Sequence, residues 1–195
     1  MADFEGAETF INNKLEAEMP KLEYHDIRHV RDVVRASVAI AAAEGLTEEE
    51  TMLVRMAALL HDIGYIHSAK HHEQRGADMA RELLPSFGFN PEQVETICKM
   101  IMATRAPQSP SGKLEKILCD ADLDYLGRED FYEVGGRLFR EMKKNGIVGT
   151  EQEWNLLQKK FLESHRYHTP YSQTNREPGK QERLQEIMAG LNSNY

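Results

Sequence analysis

Four side chains stand out because each interrupts an otherwise apolar helical stripe: His29, the adjacent pair His61-Asp62, and Asp122. Met52, Leu53, Met56, Ala57, Ala58, Leu59 and Leu60 leave their helix almost no polar face, so it is expected to be central and buried. It nevertheless ends in His61-Asp62, two groups that are costly to bury without partners. Further on, Leu114, Leu118, Ala121 and Tyr125 share one stripe at about 100° per residue, and Asp122 falls inside it. Asp120 and Asp124 fall on the other side with Lys113 and Lys116 nearby, and are expected to form a solvated face. In the early helix Val30, Val33, Val34 and Val38 define the apolar stripe, with His29 at its margin and His25 expected on the far side. The i,i+4 spacing of His25 and His29 would suit a two-histidine metal face, but eight histidines make such a pair common by chance.

Two imidazoles and two carboxylates from three helices form a set with definite chemistry. Each member alone has an ordinary structural reading, as a cap or a satisfied core polar group. Together they suit one divalent ion (Mn, Fe, Ni, Zn or Mg), and the lack of thiolates makes the site a hard-to-borderline one. Four protein ligands leave positions for water, and bound water of lowered pKa is what hydrolysis at neutral pH requires.

The elements that must position these groups are all helical. Periods near 3.6 dominate, no run of alternating residues is evident, and the expected fold is all-α, a single-domain helical bundle with its polar site at the centre. Helices are expected at roughly 5–19, 26–44, 48–62, 72–84, 91–102, 112–126, 129–144, 151–164 and 180–190, with boundaries good to about 2–4 residues. Capping boxes start two of them, at Thr47-Glu48-Glu49-Glu50 and Thr150-Glu151-Gln152-Glu153. Asn90-Pro91 opens a third and Asp26 caps the early helix. Gly45, Gly88 and Gly146 mark carboxy ends. Ala106–Gly112 and Tyr167–Gly179, each with two prolines, are expected as loops. The expected organisation is an amino-terminal helix over 1–19, a core over 20–130 holding the polar set, and helices over 131–195 completing the same domain. The amphipathic first helix (Phe4, Phe10, Ile11, Leu15) could pack on its own bundle or on a second copy, so a homodimer stays open.

Composition narrows the partners. The 195 residues carry 24 Lys+Arg against 32 Asp+Glu, a net charge of −8. That balance disfavours binding to duplex nucleic acid, which relies on a basic surface. No stretch approaches the roughly 20 apolar residues of a membrane span, and the acidic start (Met1-Ala2-Asp3-Phe4-Glu5) lacks the pattern of a secretory signal. Cys98 and Cys119 build neither a disulfide framework nor a thiolate zinc site, so a cytoplasmic location is expected.

A His, then an apolar helix ending in His-Asp, then a distant Asp, resembles the HD-domain superfamily of metal-dependent phosphohydrolases. The resemblance extends over about residues 20 to 130. It includes Tyr24-His25-Asp26 before His29-Val30, the run Ala57 to Tyr65, His72-Glu73 before Gly76-Ala77, and Asp120-Ala121-Asp122-Leu123 before Leu126-Gly127. It implies an all-helical fold, hydrolysis of phosphate esters of small metabolites, most often nucleotides, and His29, His61, Asp62 and Asp122 as ligands of one divalent metal. By family position, Glu73 would be a general acid or base and His72 would face the substrate or support the site. Asp62 would also orient the attacking water. Binuclear members add later histidines, and here Thr104 stands about where one would be expected, which favours a single metal. Members acting on the stringent-response alarmone carry an acidic pair where this chain has Gly64, Tyr65 and Ile66. The Gly-Tyr-Pro signature of the cyclic-dinucleotide group is absent too.

Phosphoryl transfer spreads negative charge over peripheral oxygens, so cations are expected around the site. The candidates are Lys70, Arg75 and Arg105, and from the tail Arg166, Arg176 and Lys180, with Tyr167 among the rings that could close over a base. Each of these is also an ordinary surface charge or packing residue. Two further readings compete with a hydrolase: a nucleotide sensor that binds without cleaving, and a structural bundle whose inward groups bond one another.

Overall fold

The computed structural model describes residues 2–192, and every regular element among them is helical. Ten α-helices follow in order: α1 (Phe4–Glu18), α2 (Ile27–Ala43), α3 (Glu48–Leu60), α4 (His72–Leu83), α5 (Pro91–Ala103), α6 (Lys113–Asp122), α7 (Phe131–Lys144), α8 (Glu151–Ser164), α9 (Pro170–Asn175) and α10 (Glu177–Asn192). Single 3-10 turns occupy Ile63–Ile66, Leu84–Phe87 and Asp124–Gly127. Among the described residues no helix is long and apolar enough to cross a membrane. The helices gather into two compact units, Met1–Lys21 with His25–Asp122, and Leu22–Tyr24 with Leu123–Tyr195.

In the first unit α3 is the hub, packed by α1, α2, α5 and α6 and touched at its end by α4. Seven of its apolar residues are buried, Leu53, Val54, Met56, Ala57, Ala58, Leu59 and Leu60. Burying each large side chain stabilises the fold by about 1.5–3 kcal/mol, enough for the hub to carry a polar terminus. The Thr47–Glu50 capping box closes its start and the Asn90–Gln93 box opens α5 with Pro91 in the first turn. Asp26 caps α2 by accepting the amides of Arg28 and His29 at 2.8 and 3.3 Å.

The second unit has its own core of Tyr24, Tyr125, Leu126, Phe131, Val134, Leu162, Tyr167 and Ile187. Two expectations fail here. Tyr167–Gly179 is not a loop: Thr169 caps α9 with Pro170 at its start, and α10 begins at Glu177 rather than near 180. Both prolines sit in first turns, where their missing amide costs nothing. Lys180 is not a surface charge but fully buried, its ammonium donating to the His165 carbonyl at 2.7 Å and pairing with Glu177 at 2.9 Å.

The turn that follows α3 depends on a side chain being absent. A Cβ at Gly64 would lie 2.0 Å from the backbone oxygen of His72, so only glycine lets the 3-10 turn lie against the start of α4. His71, with φ of 58° in the left-handed region, turns the chain into that helix. Gly64→Ala is therefore expected to destabilise the fold by about 1–3 kcal/mol, read from the midpoint of urea unfolding. A variant as stable as the parent would contradict this packing.

Candidate metal centre

The groups that converge on the centre all belong to the first unit. α2 delivers His29 from its first turn, α3 delivers His61 at its carboxy end, Asp62 follows, and α6 delivers Asp122 as its last residue. One ligand atom each from His29, His61 and Asp122 lies within 4.8 Å of the others. The Nε2 atoms of His29 and His61 face each other at 3.3 Å. Asp122 Oδ1 lies 3.2 Å from the first and 3.7 Å from the second, and Asp62 Oδ2 lies 3.5 and 3.3 Å from the same two atoms. His61 is held in orientation by Nδ1, which donates to the Ala58 carbonyl at 2.7 Å. That bond leaves the Nε2 lone pair of the neutral ring directed into the cluster.

This donor set fits a divalent cation. Two imidazole nitrogens 3.3 Å apart cannot both donate, and Asp62 Oδ2 is buried without a properly directed hydrogen bond. His29, His61 and Asp62 are 5%, 1% and 3% exposed, so water cannot satisfy these lone pairs, whereas Asp122 keeps an edge toward solvent. Burial works against charge on His61, but Asp62 and Asp122 outweigh it and raise its pKa to about 9. Burial likewise opposes the Asp62 carboxylate, yet His61, His25 and His29 pull its pKa far below the ordinary value. A cation among these atoms would supply the positive charge that both carboxylates favour here, with His61 neutral.

The surroundings fix the ligands. Gln108 Nε2 donates to Asp122 Oδ2 at 3.3 Å and to the Cys119 carbonyl at 3.2 Å, which leaves Asp122 Oδ1 turned toward the imidazoles. Asp62 is shared in the same manner: Oδ2 faces the cluster, and Oδ1 lies 3.3 Å from Nε2 of His72.

Comparison with protein families matches the HD domain over residues 26–124, a span that holds all four of these groups. The chain belongs to the HD-domain family. No curated protein matches it. Among solved structures, one described as a "predicted HD superfamily hydrolase" from an uncultured Thermotogales bacterium is similar, with a TM-score of 0.64 and 25% identity. The alignment covers 96% of this chain and 92% of that one.

The other residues singled out from the sequence fall into two groups in this HD-domain chain. His72 and Glu73 are brought in: His72 Nδ1 donates to the Ala69 carbonyl at 3.0 Å, and Glu73 Oε1 lies 3.6 Å from His72 Nε2. Lys70, Arg75 and Arg105 are exposed, and among the described residues none bonds to the cluster. In the second unit Arg166 donates to the carbonyls of Glu163 and His165, and Arg176 pairs with Asp124 at 2.7 Å. Tyr167 is buried and donates to the Leu123 carbonyl. Thr104 is also buried, its hydroxyl satisfied by the Ile101 carbonyl at 2.8 Å.

Two expectations need correction. Asp120 and Asp124 are not a solvated face, being 0% and 4% exposed. α6 packs on α2, α3 and α5, so its buried arc reaches Asp120. Asp124 lies beyond the end of α6, where it pairs with Arg128 and Arg176. Nor does His25 point away: its ring stacks on Tyr65 at 4.6 Å, and Tyr65 lies 4.4 Å from the ring of His72. His25 precedes the Asp26 cap, so helical phase does not apply to it. Gln108 and Tyr65 were not singled out for the site; Tyr65 followed the His-Asp pair closely enough to be considered, but Gln108 lies in an irregular loop with no period to read.

Saturating divalent metal is expected to raise the melting temperature by about 5–10 °C at a hundredfold excess over Kd, and chelator to reverse it. Asp62→Asn and Asp122→Asn should abolish that shift while both proteins remain folded. A melting temperature indifferent to Mn, Fe, Ni, Zn and Mg would count against the assignment.

Proposed function

We propose that this HD-domain protein is a metal-dependent phosphohydrolase that cleaves a phosphate ester of a small metabolite, with nucleotides as the substrate class. One observation carries the reading: Nε2 of His29, Nε2 of His61 and Oδ1 of Asp122 converge within the reach of one ion, with Asp62 Oδ2 beside both rings. His29, His61, Asp62 and Asp122 would hold that ion. Lewis-acid activation of water and of a phosphoryl oxygen is the chemistry such an ion supplies when bound. The solved relative's description as a hydrolase supports the reaction class.

The chain's own residues supply the rest. His72 donates from Nδ1 to the Ala69 carbonyl and its Nε2 faces Asp62 Oδ1 at 3.3 Å, which sets this ring at the edge of the cluster as the group to carry a proton. Glu73 is 9% exposed, lies beside the same ring with Oε1 3.6 Å from Nε2, and would act through it. Asp62 spans the two functions, with one oxygen for the ion and one for His72. The His25–Tyr65–His72 wall offers ring faces next to the ligands and supports a substrate with an aromatic base. Lys70, Arg75 and Arg105 are free to turn toward a phosphate, since none is committed to the cluster. A cytoplasmic location accords with the two buried free cysteines.

The test is release of phosphate from a panel of nucleotides and sugar phosphates by metal-loaded protein. At least one nucleotide should be hydrolysed, and Asp62→Asn should lower kcat/KM by about a hundredfold or more, because changes to ligand-supporting groups alone cost 10–100-fold. Tyr65→Ala should raise KM for nucleotides by about tenfold while sparing sugar phosphates. Tight nucleotide binding without product at any metal would instead identify a sensor.

A further inference from the structure

The second unit contains a cavity that lies outside the metal centre and outside the residues that match the HD domain. It has a volume of about 380 Å³ and lies among α7, α8 and α10, within the size range of small-molecule sites. Its floor is open because α7 carries Gly135 and Gly136 at this point. Trp154 and Phe139 form an aromatic side, their rings stacked at 5.7 Å with an interplanar angle of 27°. Tyr132 stands at the rim, held by its hydroxyl donating to Glu186 at 2.5 Å.

Two amides in this cavity have no protein partner. Gln158 is only 8% exposed, yet it makes no hydrogen bond among the described residues. It lines the cavity, with Nε2 3.1 Å from where a Cβ on Gly135 would sit. Asn155, one position short of a full turn earlier on α8, lines the same cavity and is likewise unbonded among the described residues. Amide groups that face a cavity without a protein partner leave a donor and an acceptor open to a ligand, and nothing in α8 requires polar residues there. Each amide presents a donor and an acceptor side by side, the complement of the edge of a nucleobase-like ring. Trp154 and Phe139 would stack on such a ring's face.

Charge decides which members of that class fit. Glu151 lines the cavity, Glu186 stands at its rim, and among the described residues no lysine or arginine lines it. Glu186 is paired with Arg183 at 3.0 Å, so a phosphorylated ligand would meet the Glu151 carboxylate with no cation in the lining to offset it. We propose that this cavity is a binding site for an uncharged planar heterocycle with a donor–acceptor edge, of the nucleobase or nucleoside type. The site stands independently of the hydrolase reading, since it shares no residue with the metal cluster.

Trp154 is the chain's only tryptophan, so its fluorescence reports this cavity alone. The experiment titrates chelator-treated, full-length protein with adenosine, guanosine, cytidine and uridine, exciting at the red edge of indole absorption. Isothermal titration calorimetry provides the second measurement. Saturable binding of at least one nucleoside is expected, with its 5′-monophosphate weaker by about tenfold or more. Gln158→Ala should weaken binding by about tenfold, the loss expected when one enclosed hydrogen bond is left unmade. Gly135→Ala gives a second variant that favours the helix but sets a methyl 3.1 Å from Gln158 Nε2; it should also weaken binding while raising or preserving the melting temperature. No saturable response to any nucleoside up to its solubility limit would overturn the proposal. So would binding undiminished in both variants, or equal affinity for the monophosphates.

Discussion

Lone pairs directed at one small volume repel unless something positive sits among them. His29, His61, Asp62 and Asp122 direct theirs in this way, and three of the four are cut off from water that could relieve the repulsion. A helical unit with only stability to satisfy would be better served by apolar residues at those positions, since buried ionic groups rarely repay their desolvation. That the first unit is built around them, with its most apolar helix ending in His61 and Asp62, makes compensation of that charge the condition the local structure answers to. The supporting contacts follow from it. Ala58 fixes the His61 ring, Gln108 turns Asp122, Gly64 lets α4 approach, and the approach of α4 sets His72 against Asp62.

How much of this was legible in the sequence depends on whether a residue sits in a helix. His61-Asp62 and Asp122 could be read as inward because each continues an apolar stripe whose phase is known. The helical fold, the capping boxes at Thr47, Asn90 and Thr150 and the end markers Gly45, Gly88 and Gly146 were legible for the same local reasons. Phase fails where the helix does. His25 stands before a cap and Asp124 after a helix end, so angular bookkeeping assigned both to the wrong side. Asp120 is inside α6, but a helix packed on three others has no solvated half to predict from one stripe. Gln108 has no signal at all, because its role comes from where an irregular loop crosses the end of α6. Pro170 and Pro178 were read as loop markers, although the residue type serves equally well in a first turn.

The second unit answers a different problem with similar means. Asp124 is almost fully buried, and Arg176 and Arg128 reach it at 2.7 and 3.3 Å. Lys180 is fully buried with a carbonyl and a carboxylate as partners. Burial depresses its pKa and Glu177 resists that drop. Here each charge is neutralised within the protein itself. Candidate cations of the tail are thereby committed to holding α9 and α10 in place, which is why they were visible as basic residues but not as structural ones.

Asp26 joins two properties that are usually separate. It accepts the amides of Arg28 and His29, so the residue that secures the first turn of α2 also secures the backbone of a ligand. Terminal turns are where helices fray, and in most proteins such opening passes unnoticed. Here, fraying by a single turn removes an imidazole from the cluster. Binding of an ion there and closure of that turn would therefore be coupled, so that occupancy of the centre would favour the closed beginning of the helix.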